Sequence, residues 1–135
     1  MPFPAPGRHV GFMRKVSFSK IPDGASKTIF AAEKWVHVTL YTTPCQGDDR
    51  GWAEGWDFDA LRSTLLPPRQ DGQDPPPPCS DPTNPGHYAL GSAHSGGINA
   101  MFADGSVAFI SYETDLENLN RMAHRSDGEI VTENL

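Results

Sequence analysis

The stretch Gly91-Ser92-Ala93-His94-Ser95-Gly96-Gly97-Ile98-Asn99-Ala100-Met101-Phe102-Ala103-Asp104-Gly105-Ser106-Val107-Ala108-Phe109-Ile110-Ser111-Tyr112 decides the fold. Two short apolar runs flank an Asp-Gly dipeptide, the strongest local hairpin signal, because a type I′ turn wants positive φ at both central residues. Taking Asp104 and Gly105 as a two-residue loop sets Ala103 opposite Ser106, Met101 opposite Ala108 and Asn99 opposite Ile110. Alternation then predicts one face of Ile98, Ala100, Phe102, Val107 and Phe109, and another of Asn99, Met101, Ala103, Ala108, Ile110 and Tyr112. Both faces carry apolar groups, which a half-solvated sheet does not do, so both are expected to be covered.

One cover follows in the chain. Thr114-Asp115-Leu116-Glu117 fits a capping box with Thr114 as the cap. Leu116, Leu119, Met122 and Ala123 recur at helical spacing, and Gly128 is placed to stop the helix in the left-handed conformation. This helix covers one face at most. Upstream, residues 17–21 and 28–40 are rich enough in β-branched and aromatic side chains for strands, with Pro22-Asp23-Gly24 as the turn between them. Residues 57–65 fit a short helix or a strand equally. The expected fold is therefore α+β: an antiparallel sheet ending in a hairpin and a short C-terminal helix.

At 135 residues the chain is the size of a single domain, 1–135. Residues 1–16 read as an irregular N-terminal segment. Residues 66–90, with Pro67-Pro68 and the run Pro75-Pro76-Pro77-Pro78, read as a proline-rich surface loop. A net charge of -6 with scattered basic residues argues against nucleic acid and anionic membranes as partners. No apolar run approaches the ~20 residues of a membrane span, and no export signal is evident.

Cys45 and Cys79 flank the irregular middle. Either they form a disulfide that staples it, or they are two unlinked thiols. Zinc is disfavoured, because no pair of cysteines stands at ligand spacing.

Catalytic patterns are thin. His94 and Asp104 are separated by a strand, which at ~3.3 Å per residue puts them too far apart to share an ion. The predicted register sets His94 across from residues 113–115, where it would bond a carboxylate or the capped helix start. Asp104 is then a turn former. No nucleophile elbow and no phosphate-cradling loop is present, so no enzyme is expected. In Gly47-Asp48-Asp49-Arg50-Gly51-Trp52-Ala53-Glu54-Gly55-Trp56-Asp57-Phe58-Asp59, the carboxylates Asp48, Asp49, Asp57 and Asp59 are candidate ligands for calcium, and no other cofactor is expected. The segment does not match an EF-hand, and the competing reading is a solvated acidic loop anchored by Trp52 and Trp56.

These residues also carry a resemblance. His94, nine intervening residues and Asp104-Gly105 resemble the C-terminal His-x9-Asp-Gly signature of a bacterial family of prepilin-type proteins of unknown function, also labelled family 10 extracellular solute-binding proteins. Ile21-Pro22-Asp23-Gly24-Ala25-Ser26-Lys27-Thr28-Ile29 resembles that family's Thr-Asp-Gly-Thr-Ser-Asn-Thr segment. Gly47-Asp48-Asp49 and Gly55-Trp56-Asp57 resemble its Gly-Asp-Asp and Gly-Trp-Asp segment. In order and spacing the blocks agree over residues 17–128.

The resemblance implies a pseudopilin-like protein, in which a long apolar N-terminal helix packs on an antiparallel sheet. Residues 1–15 are instead proline-containing and polar, so this chain reads as a pilin-like globular head lacking that helix: a truncated gene, a fragment or a soluble relative. The implied function is a non-enzymatic structural or assembly module of a type II secretion or type IV pilus-like system, periplasmic or at the cell surface. The alternative is an extracellular binding module for a small solute or calcium. Implied partners are other pilin-like subunits or the missing helix, covering Met101, Ala108 and Ile110. Asp23, Gly24, His94, Asp104 and Gly105 are the implied structural signature.

Overall fold

In the computed structural model the hairpin turns on three residues. The Gly105 N–H donates to the Phe102 carbonyl at 2.9 Å, and the Phe102 N–H donates to the Ser106 carbonyl at 2.9 Å. Gly105 has φ +87°, and no described non-glycine residue has positive φ. The turn is therefore of the type I plus left-handed glycine class, and the predicted type I′ turn is corrected. Asp104 keeps ordinary φ because its carboxylate accepts the Ser106 N–H at 2.9 Å and the Ser106 hydroxyl at 2.6 Å. The structure describes residues 17–45, 47–48, 59–81 and 83–132.

One extra loop residue moves the pairing by one and turns over one strand relative to the other. Strand β4 (Gly97–Phe102) pairs antiparallel with β5 (Val107–Ser111), with Ile98 opposite Ile110, Asn99 opposite Phe109, Ala100 opposite Ala108 and Met101 opposite Val107. Strand β1 (Ile29–Ala32) lies on the other side of β4, giving the order β1-β4-β5. The packed face holds Ile98, Ala100, Phe102 and Ile110, all essentially buried. Helix α1 (Leu116–Ala123) lays Leu119 and Met122, both fully buried, on that face.

The predicted partner surface of Met101, Ala108 and Ile110 is thus corrected. Ile110 is fully buried by this chain, and Ala108 packs against the same core. Met101 stays half-buried on the opposite face, beside Val107 and Phe109. Among the described residues that face stays open: Phe30 is 73% exposed, Val107 67% and Phe109 51%.

The expected strand at residues 17–21 is a single 3₁₀ turn, Phe18–Lys20, and the strand region at 28–40 shortens to β1 plus a 3₁₀ turn at Val38–Leu40. The described part of 57–65 forms neither helix nor strand. The proline-rich segment is more structured than a surface loop. It contains β2 (Arg69–Gln70), which pairs parallel with β3 (Gly91–Ser92), and a 3₁₀ turn at Pro85–Tyr88, and it buries His87, Ala89 and Leu90. Gly91 is required there, because a Cβ would stand 2.4 Å from the Arg69 carbonyl oxygen and 2.6 Å from the Trp35 Cβ.

Trp35 is the bolt between the two sheets. It is buried, its backbone N–H donates to Ala89, its indole N–H donates to the Gln70 carbonyl at 3.2 Å, and Arg69 stacks 5.2 Å from its ring centre. Cys45 and Cys79 are joined as a disulfide. Closing that ring contributes about 3 to 4 kcal/mol in the chain-entropy picture. Nearby, the Tyr41 hydroxyl donates to Asp71 at 2.6 Å, while the other Asp71 oxygen accepts the Val36 N–H.

The helix start is also corrected. Asp115, not Thr114, is the cap, and its carboxylate accepts the Glu117 and Asn118 N–H groups at 3.0 and 3.1 Å. Glu117 pairs instead with Arg121 one turn on. The helix stops at His124 rather than at Gly128. Asp127 and Gly128 offer successive N–H groups to the Asp23 carboxylate at 2.8 and 3.1 Å, so the Asp23-Gly24 turn anchors the segment after the helix.

Two expectations follow. Asp115→Ala should cost about 1 kcal/mol of unfolding free energy in denaturant titration, whereas Thr114→Ala should change it by much less. The Asp71 carboxylate, through its hydrogen bond, raises the Tyr41 phenol from 10.0 to about 12. A raised folded value favours the protonated form, so this contribution is complete below pH 10 and is lost as pH rises through about 12. The stability difference between the parent and Tyr41→Phe should therefore shrink across that window.

Candidate functional site

His94 sits in the Gly-rich connection between β3 and β4, and Ser92 holds that connection in shape. The buried Ser92 hydroxyl donates to the Gly97 carbonyl at 2.8 Å and accepts the His94 N–H at 3.0 Å. The Tyr112 hydroxyl lies 3.1 Å from the Ser92 hydroxyl and 3.0 Å from the His94 carbonyl. Sequence reasoning passed over Ser92. A serine two residues ahead of a bend, able to bond its own backbone at i+2, is the signal that was there to be read.

The imidazole that this loop presents is half-exposed and meets a carboxylate, though not the expected one. Its Nε2 lies 3.4 Å from Glu33, at the end of β1, rather than against residues 113–115. Glu33 accepts the Asn99 backbone N–H at 2.6 Å and its side-chain amide at 3.2 Å, and that amide also lies 3.2 Å from His94 Nε2. The three residues form a small polar cluster at one end of the open sheet face. With both Glu33 oxygens engaged and the imidazole facing solvent, the cluster orients side chains and links β1 to β4.

Asp104 stands at the opposite end of β4, bonded to Ser106, whose hydroxyl and N–H hold its carboxyl below the ordinary range. The structure brings His94 and Asp104 to no common point. Asp104 and Gly105 form the turn, as read from the sequence, and Asp23 and Gly24 form a second turn that docks on residues 127 and 128.

Of the proposed calcium ligands, Asp49 and Asp57 lie outside the described residues, as do Trp52 and Trp56. Asp48 is paired with the Lys34 ammonium. Burial lowers the Arg62 guanidinium from its ordinary value, and the Asp48 and Asp59 carboxylates act in the opposite direction. The described members of the quartet therefore already face cationic side chains. Among the described residues, no three His, Cys, Asp or Glu side chains gather at metal-binding distance. Among them, too, no helix is long and apolar enough to cross a membrane.

The two polar positions should separate on mutation. Ser92→Ala removes a buried hydroxyl with several partners and should cost about 1 to 3 kcal/mol. His94→Ala removes only half-exposed contacts to Glu33 and Asn99 and should cost about 0 to 1 kcal/mol, measured by the same denaturant titration.

No curated protein and no solved structure matches the chain. The profile of one family does match, over residues 5–117, which take in the Asp23-Gly24 turn, the hairpin and the His94 loop. The chain belongs to the family described as Protein of unknown function (DUF1559), SBP_bac_10.

Proposed function

We propose that this protein is a non-enzymatic assembly module, the globular head of a pseudopilin-like subunit of a type II secretion or type IV pilus-like system. The observation that carries the reading is the open face of the three-stranded sheet. Phe30, Val107 and Phe109 are each more than half exposed, and Met101 lies among them. Exposed apolar side chains gathered on one sheet face support an interaction site there. The occupant proposed is an apolar helix of a pilin-like subunit, whose backbone groups are bonded within the helix and which lies across a sheet without disturbing its ladder.

The Cys45–Cys79 disulfide supports display in an oxidising compartment, the periplasm or cell surface. The Glu33, Asn99 and His94 cluster then keeps β1 and β4 in fixed relation at one end of the seat, a structural task.

Fusing an apolar helical segment ahead of residue 1 tests the reading. The expected result is a higher unfolding free energy, by about 1 to 2 kcal/mol for each of these partly exposed side chains that becomes fully covered, and loss of that gain in the Val107→Ser, Phe109→Ser double variant. Equal stability with and without the helix overturns it. A midpoint that instead rises on adding millimolar calcium to the parent chain supports the binding-module alternative.

A further inference from the structure

The two edges of the three-stranded sheet are treated differently. At β1 the ladder is interrupted by an irregularity between Ile29 and Ala31, and the chain then leaves the sheet to bridge Lys34 to Leu90 and to bond Glu33 to Gly91. This is how natural sheets blunt an edge. At β5 nothing comparable occurs. Its register is regular from Val107 to Ser111, it contains no proline, and residues 106–112 carry no charged side chain.

The hydrogen-bond phase says which backbone groups are open. Phe102 pairs with Ser106, so Ala108 and Ile110 also turn their backbone groups inward to β4, and Val107 and Phe109 turn theirs outward. Among the described residues, no strand lies beyond β5. The two residues with open backbone groups are the same two whose apolar side chains stand 67% and 51% exposed. Open main-chain donors and acceptors specify another β-strand, not a helix, as the occupant of the edge.

We infer that β5 pairs antiparallel with β5 of a second copy of this chain, about a two-fold axis through Phe109. In that arrangement Phe109 exchanges both backbone bonds with its own copy, and Val107 lies opposite Ser111. The strand is its own complement: it is uncharged, and each Phe109 ring meets the other across the pair on the open face. The sheet becomes six-stranded, with one continuous apolar face. The inference rests on the edge rather than the face, so it stands or falls apart from the assembly reading.

The test is sedimentation of the full chain over a wide concentration series, with residue-resolved amide exchange. The expected result is a doubling of mass with concentration. Across that rise, the Val107 and Phe109 amides should slow at least about tenfold, while Ala108 and Ile110 are slow already in the monomer. Each copy carries a net charge of -6, so added salt should strengthen the pairing. Phe109→Pro deletes an outward N–H and no β4 bond, and should abolish the dimer. Should that variant fail to fold, Val107→Lys places a charge on the edge and should do the same. A chain that stays monomeric throughout overturns the inference. So does a dimer whose Val107 and Phe109 amides exchange freely, since that would place the contact on the face.

Discussion

The backbone bond from the Gly105 N–H to the Phe102 carbonyl closes the turn on which the whole interior of this protein depends. With three residues in the loop, Ile98 stands opposite Ile110 and Ala100 opposite Ala108, and these pairs make the floor on which Leu119 and Met122 pack. A two-residue loop would have turned Val107 and Phe109 inward and Ile110 out. The partition between a sealed face and an open one is thus set by one extra residue in a turn. The left-handed Gly105 and the Asp104 carboxylate bonded to Ser106 hold it there.

Among the described residues, the rest is organised around that hairpin by polar and covalent ties rather than by a second large core. Trp35 joins the segment after β1 to the short parallel pair β2 and β3, and the disulfide closes the proline-rich stretch that leads back to them. Asp23 reaches across to residues 127 and 128, so the two ends of the described chain are held together by a carboxylate in a pair of N–H groups. Polyproline segments bury little apolar surface, which is why this region needs a crosslink and an aromatic bolt to stay in place.

His94 and the Asp104-Gly105 pair mark the two ends of β4: one sets the turn, and the other, steadied by Ser92, ties the strand to Glu33 at the end of β1. Among the described residues, neither joins a cluster of three metal-ligating side chains. Both lie just beyond the ends of the central strand, where their contacts are to neighbouring backbone and side chains of the same sheet.

The sequence by itself determined the hairpin, the helix after it, the α+β class and the position of the turn, because each rests on local chemistry: an Asp-Gly dipeptide, apolar alternation and helical spacing. It also held the family pattern, legible in short blocks at fixed order. It left open whether Cys45 and Cys79 join, and it misplaced the partner of His94, since Glu33 and His94 are brought together only when β1 pairs with β4. The tertiary structure alone decided which face is sealed. A two-residue and a three-residue loop are nearly alike in sequence, and packing against Leu119 and Met122, together with the Asp104–Ser106 bonds in the turn, selects between registers that differ by one residue and exchange inside for outside.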